Sequence, residues 1–223
     1  MTPPRNDNKM DVDLKRRVYQ AYDSHDVEAL RQVVRANPII INLAEFVAGG
    51  TLLHNAVAGR PLSTIKMLVD EGFDVNAKGS LHEDTPLVRA ASTGDIEKVR
   101  YLLDHGAILQ TEKSVQNPLF GAISAYTSMG NRELPKERFN SIVKALLDAG
   151  IDATVRYNTD TMLDMDAMSF ACMWGRQDIA RMIADHIYGN DDAAIEAALA
   201  DAEIRAKRSS DREAAKVAAQ GYA

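Results

Sequence analysis

A short unit recurs along this chain: a helix of small residues, a glycine-type turn, an aliphatic helix and a second glycine. The clearest copy begins at Thr85 as TPLVRAASTG and continues from Asp95 as DIEKVRYLLDHGA. Another copy runs from Thr51 to Asn76. Because one such unit cannot bury its apolar face alone, neighbouring units stack and share a core. The repeat therefore predicts stacked helix pairs, and it directs the search for function to a surface rather than to a catalytic pocket.

The ends of these helices are marked by residues suited to them. Thr51 and Thr85 stand where an N-cap belongs, and Pro86 suits the first helical position. Gly72 and Gly106 follow the second helix of their units, where a left-handed residue closes a helix and glycine adopts that conformation at little cost. These signals predict helix boundaries in the two clear copies.

A degenerate copy precedes them. Residues 11–22 and 26–36 carry apolar residues near a period of 3.6, which predicts two amphipathic helices. Asp11 or Asp13 is placed to cap the first helix and Asp26 the second. Pro38 predicts the end of the second helix, since the residue before proline disfavours the helical region.

Two more copies follow the clear ones. The fourth runs from Asn117 to Ala153, and its interval from Asn117 to Gly150 is twelve residues longer than the interval from Thr85 to Gly106. The extra residues fall within 126–139, and insertions of this kind form loops or helix extensions. The fifth copy covers residues 166–187.

These motifs resemble the ankyrin repeat over residues 10–187, closely in the second and third copies and loosely in the first and fifth. The resemblance implies an all-α helical solenoid of about five helix-turn-helix units, each followed by a hairpin-like finger. The histidine of the family's TPLH motif is present as His54 and is replaced by Val88, Phe120 and Ser169. These departures concern the side-chain hydrogen bonding that the family uses there, not the pairing of the helices.

The chain changes character after Gly189. Asn190-Asp191-Asp192 is an N-cap signal, and the Ala-rich segment behind it favours helix. We expect a capping helix to about Ile204 and then either a solvated helix or a frayed tail. The expected organisation is a disordered N-terminus at 1–9, an ankyrin-repeat domain at 10–189 and a C-terminal helix or tail at 190–223.

Composition narrows the classes of partner. The net charge of -6 argues against a phosphate-backbone binder, so no nucleic acid is expected, and it would tolerate a basic protein partner. No apolar run approaches the ~20 residues needed to cross a bilayer, so no membrane association is expected. The N-terminus has no secretory signal pattern, and the single cysteine fits a reducing compartment. The chain is therefore expected to be a cytoplasmic monomer.

No pattern in the sequence indicates catalysis. Cys172 occupies a small-residue helix position that predicts a core thiol rather than a nucleophile. The histidines lack metal-ligand spacing, and there is no glycine-rich phosphate loop. We expect no catalytic residues, no metal, no cofactor and no enzymatic activity.

The resemblance also implies where a partner would dock: on finger residues just before each inner helix and on the residues at its end. In this sequence Met and aromatic residues concentrate at those positions in the later copies, and both types favour interfaces. Trp174 is the only tryptophan in the sequence. The alternative to an interface role is that the insertion or the C-terminal helix covers its side chain. The predicted partner-binding residues are Leu81, His82, Asp84, Lys113, Gln116, Tyr126, Met162, Met165, Met173 and Trp174.

The function expected from this reasoning is protein–protein interaction on the concave face of the solenoid. A toxin-neutralising immunity or inhibitor protein and a secreted effector acting as an adaptor remain alternatives. Active groups hidden in the insertion, or nucleic-acid contact by Lys207, Arg208, Arg212 and Lys216, are weaker ones. Asp201, Glu203, Asp211 and Glu213 are interspersed with those cations, which favours a solvated helix.

Overall fold

A computed structural model describes residues 11–43, 49–79, 83–109, 117–128 and 134–220, with the side chains of 126–128 and 220 left out. Within these ranges the only strand-like pairing is an isolated antiparallel bridge between Tyr157 and Met165. The predicted all-α class is confirmed. Besides a 3-10 helix at Pro38–Asn42, the described α-helices are Val12–Asp23 (α1), Val27–Ala36 (α2), Leu52–Gly59 (α3), Leu62–Asp70 (α4), Pro86–Ser92 (α5), Ile96–Asp104 (α6), Pro118–Ser128 (α7), Lys136–Asp148 (α8), Ala167–Met173 (α9), Gln177–Tyr188 (α10) and Asp192–Gln220 (α11).

The predicted helix ends of the first copies are confirmed. Asp11 caps α1 by accepting from the amide of Leu14 at 2.7 Å, and Asp26 caps α2. α2 ends at Ala36, just before Pro38. Gly72 and Gly106 have φ of 93° and 81°, a backbone conformation that glycine adopts without a Cβ clash. The expected disordered segment 1–9 lies outside the described residues.

The chain divides into two compact units, and the first comprises residues 1–90 and 97–108. In it α1 packs on α2, α3 on α4, and α2 on α4. Glu71, after α4, accepts from Arg31 and Arg35 of α2, each at 2.9 Å. Its core is aliphatic, as the periodicity predicts, and includes Leu30, Val34, Leu52, Leu53, Ile65, Leu68, Leu87, Val99 and Leu102.

The second unit comprises residues 91–96 and 109–223. α7 packs on α8 and α9, α8 on α10, and α9 on α10. α11 lies against both α9 and α10. The buried side chains between them include Leu119, Ile123, Phe139, Ile142, Leu146, Ala171, Ile179, Ile183, Ile195 and Ala202.

Part of the twelve-residue insertion lengthens helices rather than forming a loop. α7 has 11 residues where α5 and α9 have 7, and α8 has 13 where α6 has 9. The helix-extension alternative therefore accounts for a share of the extra residues. Residues 129–133 of the connection lie outside the described ranges.

α11 begins at the predicted N-cap, with the Asp191 carboxylate accepting from the amide of Ala194 at 3.0 Å, and it continues past Ile204 to Gln220 as a helix rather than as a frayed tail. It differs from the expectation in its contacts. Arg205, Ala206 and Ser209 are buried, so the solvated stretch begins only after Ser209. The physical reason is an acidic partner distant in sequence, Asp166, against which Arg205 is paired.

Candidate partner-binding site

The start of α3 is stabilised by the one TPLH-type histidine. The amide of Thr51 donates to Nδ1 of His54 at 3.1 Å, so Nδ1 carries no proton and the ring is neutral. The Thr51 hydroxyl also lies 2.9 Å from Nδ1, and Nε2–H donates to the Asp84 carbonyl at 3.1 Å. Burial lowers the pKa of His54, which is consistent with the neutral ring.

The third and fourth copies replace this arrangement differently. With valine at position 88, the buried hydroxyl of Thr85 has no hydrogen-bond partner among the described residues. In the fourth copy Asn117 caps α7 by accepting from the amide of Phe120 at 3.0 Å. Its side-chain amide donates to the hydroxyl of Tyr157 at 3.2 Å.

The fifth copy uses a buried ionic arrangement that joins α9 to α11. The Asp166 carboxylate accepts from the amide of Ser169 at 2.8 Å and from its hydroxyl at 2.6 Å. Arg205 of α11 donates to Asp166 at 2.6 Å and to the Ser169 hydroxyl at 2.8 Å. α11 therefore completes the hydrogen bonding that a histidine provides at the start of α3.

The finger before α9, residues 157–165, hereafter finger five, is a closed hairpin. Tyr157 and Met165 exchange backbone hydrogen bonds of 2.9 and 3.0 Å, and the amide of Thr159 donates to the Met162 carbonyl at 2.8 Å. Asp164 has φ of 52° and accepts from Arg156 at 2.9 Å. This geometry directs Met165 inward and leaves Met162 half-buried near the tip.

The other end of α9 carries Met173 and Trp174, both half-buried. Trp174 packs edge-on against Phe170, with ring centroids 6.0 Å apart. Its indole nitrogen is buried and has no acceptor among the described residues. A buried indole N–H normally finds a partner, and the described residues do not supply one here.

An aromatic cluster that was not among the predicted site residues links finger five to Trp174. Phe120 lies 4.4 Å from Phe170 and 5.2 Å from Tyr157, centroid to centroid. Phe120 takes the place of a TPLH histidine, and this substitution was the signal that could have located the cluster.

The predicted partner-binding residues divide into three groups. Asp84 and Met165 are buried, with Asp84 paired to Arg89, so neither offers side-chain surface to a partner. Met162, Met173 and Trp174 are half-buried in the second unit. Outside the described residues lie Leu81, His82, Lys113, Gln116 and the side chain of Tyr126, for which the prediction stands as made.

The described residues do not assemble a recognisable reaction centre. Burial raises the pKa of the half-buried Cys172 thiol to about 11, which disfavours the nucleophilic thiolate at neutral pH. Among these residues no three His, Cys, Asp or Glu side chains are grouped as a metal site would need. None of the described helices is long and apolar enough to cross a bilayer.

Comparison with known proteins agrees with the helix pairs. The family model for ankyrin repeats matches in three copies, at residues 18–113 and 53–134, which together span more than half of the chain. A stretch of 90 residues, 40% of the chain, is 29% identical to the ankyrin repeat and SAM domain-containing protein 6 of Rattus norvegicus. The match spans only 10% of that protein's length. On the strength of the family match, the chain belongs to the ankyrin repeat family.

Proposed function

We propose that this chain binds a partner protein through the surface at the two ends of α9, with Met162, Met173 and Trp174 as contact residues. Ankyrin repeats are generally protein–protein interaction modules and form a non-catalytic fold. The observation that carries the proposal is Trp174: a half-buried aromatic whose buried N–H lacks an acceptor among the described residues. Aromatic side chains of this kind dominate the binding energy of many interfaces.

The charge of the chain supports a basic partner. A net charge of -6 speeds the approach of a positively charged protein and disfavours an acidic one. Toxin neutralisation and adaptor function would both use such a surface, and a cytoplasmic setting fits the free thiol of Cys172. Rescue of toxin-expressing cells distinguishes the first role, and a translocation assay distinguishes the second.

The test is a conservative substitution at Trp174. Partners are captured from the native host with the wild-type chain and identified by mass spectrometry, and the affinity of the purified partner is then measured. Trp174→Phe keeps one ring but removes the rest of the half-exposed indole, so we expect about a tenfold loss of affinity from the lost contact surface. Met173→Ala should also weaken binding.

The matched control is Tyr188→Phe, which removes a polar group from an exposed aromatic residue at the end of α10 that is not among the proposed contacts. It should leave the affinity unchanged. If Trp174→Phe and Met173→Ala bind the partner as the wild type does, with unchanged thermal unfolding, the proposed surface is wrong.

A further inference from the structure

One face of α11 follows finger five from its base to its tip. Arg205 pairs with Asp166 at the base, Ser209 accepts from the amide of Leu163 at 3.1 Å in the middle, and Lys216 lies 3.2 Å from the Asp160 carboxylate at the tip. Position 209 lies about one helical turn after position 205, and position 216 lies about three turns after it, so the three residues share a helix face. The chain's own helix therefore already occupies this edge of the candidate site.

The attachment weakens along the helix. Arg205 and Ser209 are 6% and 1% exposed, whereas every residue from 210 to 219 is exposed. The Lys216 and Asp160 side chains are 43% and 91% exposed. An exposed ion pair shifts an equilibrium by no more than about fivefold, and segments without buried apolar contacts open locally. Residues 210–220 are thus held to finger five far more weakly than the first half of α11.

We propose that residues 210–220 form an autoinhibitory strap, which rests on the tip of finger five in the free chain and leaves it when the partner binds. This inference rests on the proposed function, because it regulates the same site. Lys216 contacts the finger at Asp160, two residues from Met162, so a partner that covers the tip competes with the strap for it. Because the partner binds only the molecules in which the strap has left the finger, the apparent affinity of the chain for the partner falls as the docked fraction rises.

Docking of the strap is tested on the chain alone by amide hydrogen exchange. Asp160→Ala removes the contact from the finger side, leaving the helix sequence intact. We expect the amides of residues 214–219 to exchange about two- to fivefold faster, while amides in α9 and α10 keep their rates. Asp164→Asn is the matched control, because that carboxylate lies in the same finger but pairs with Arg156, and asparagine adopts the φ of 52° at this position at little cost. It should leave exchange in the strap unchanged.

A charge swap and a shielding measurement complete the test. The double variant Asp160→Lys, Lys216→Asp should restore wild-type exchange. Oxidation of Met162 by peroxide should be faster in Asp160→Ala than in the wild type, since the strap shields the tip less often. If Asp160→Ala changes neither the amide exchange rates of the strap nor the oxidation rate of Met162, the proposal is wrong.

The effect on binding is separable from the proposed function. With the partner identified through the wild-type chain, Lys216→Ala should tighten binding up to about fivefold. Weaker binding would instead make Lys216 part of the interface and overturn autoinhibition. If Asp160→Ala speeds amide exchange in the strap but Trp174→Phe leaves the affinity unchanged, docking of the strap is confirmed and the proposed contact surface is wrong.

Discussion

Thr51 and Thr85 occupy the same repeat position but have different neighbours. The Thr51 hydroxyl lies 2.9 Å from His54, whereas the buried Thr85 hydroxyl has no partner among the described residues. A buried polar group without a hydrogen bond is costly, and an apolar group of the same shape removes that cost. We expect Thr85→Val to be neutral or to stabilise the chain by up to about 1 kcal/mol.

Thr51→Val is the matched substitution, and it should destabilise the chain by about 1 kcal/mol because a made hydrogen bond is lost. Urea unfolding followed by circular dichroism measures both free energies. Equal losses in the two variants would show that the two hydroxyl groups are in equivalent environments, contrary to the structure.

His54 makes the stability of the chain depend on pH. Its pKa is lowered by burial, so in the folded chain the ring stays neutral at a pH where the unfolded chain already binds a proton. The stability from His54 is therefore complete above the unfolded pKa of about 6.5 and is lost as pH falls towards the folded pKa. The loss is at most about 1.4 kcal/mol for each pH unit across that window.

The measurement is the free energy of unfolding between pH 7.5 and 5.5 for the wild type and for His54→Gln. The variant should be less stable at pH 7.5 and should lose less stability on acidification. Because the other histidines are common to both proteins, the difference in slope isolates His54. Identical slopes would mean that the ring is not held neutral by its environment.

Arg205 is the main polar attachment of α11 to α9. Its side chain is 7% exposed and that of Asp166 is 10% exposed, so removing the guanidinium leaves the buried carboxylate with only the more distant Arg156 cation, 3.9 Å away. Breaking a buried pair in this way costs about 3–5 kcal/mol. We expect Arg205→Ala to destabilise the second unit by about 3 kcal/mol in urea unfolding.

Arg208→Ala is the matched control, since Arg208 lies one turn along the same helix and is exposed. Its effect should stay within about 0.5 kcal/mol. A loss from Arg208→Ala as large as that from Arg205→Ala would indicate a general effect of charge on α11 rather than the pair with Asp166.

The elements that depend on local spacing could be predicted from the sequence. Helix caps such as Asp26 and terminal glycines such as Gly72 are set by neighbours a few residues away, so pattern alone located them. The inward orientation of Met165 depends on the hairpin that closes finger five, and the burial of Arg205 depends on a carboxylate 39 residues earlier. Neither dependence follows from the residues next to it in the sequence, which is why the contacts of α11 beyond Ile204 were not predicted.

The spacing of Ala202, Arg205 and Ser209 does place them on one helix face, and that face is the buried one. A cation among small residues on a single face was the available signal for a docked helix. Partner-facing positions are harder to predict, because the sequence of a finger does not show which side chains turn inward. Met162 and Met165 lie three residues apart in the same hairpin, yet Met165 is buried and Met162 is only half-buried.

The unfolding of the two compact units can be followed with two different spectroscopic signals. Trp174, the only tryptophan, lies in the second unit, whereas circular dichroism reports the helices of both. In a repeat protein each unit contacts only its neighbours, so a large destabilisation of one part can divide a single unfolding transition into two. Arg205→Ala acts in the second unit and Thr51→Val in the first.

For Arg205→Ala we expect the midpoint of Trp174 fluorescence to fall to a lower urea concentration than the midpoint of circular dichroism, because the second unit unfolds first. For Thr51→Val the fluorescence midpoint should change less than the dichroism midpoint. Excitation at about 295 nm selects the indole over the tyrosines. If both probes shift together in both variants, the repeats unfold as one cooperative block, and coupling between neighbouring repeats then exceeds the roughly 3 kcal/mol removed with Arg205.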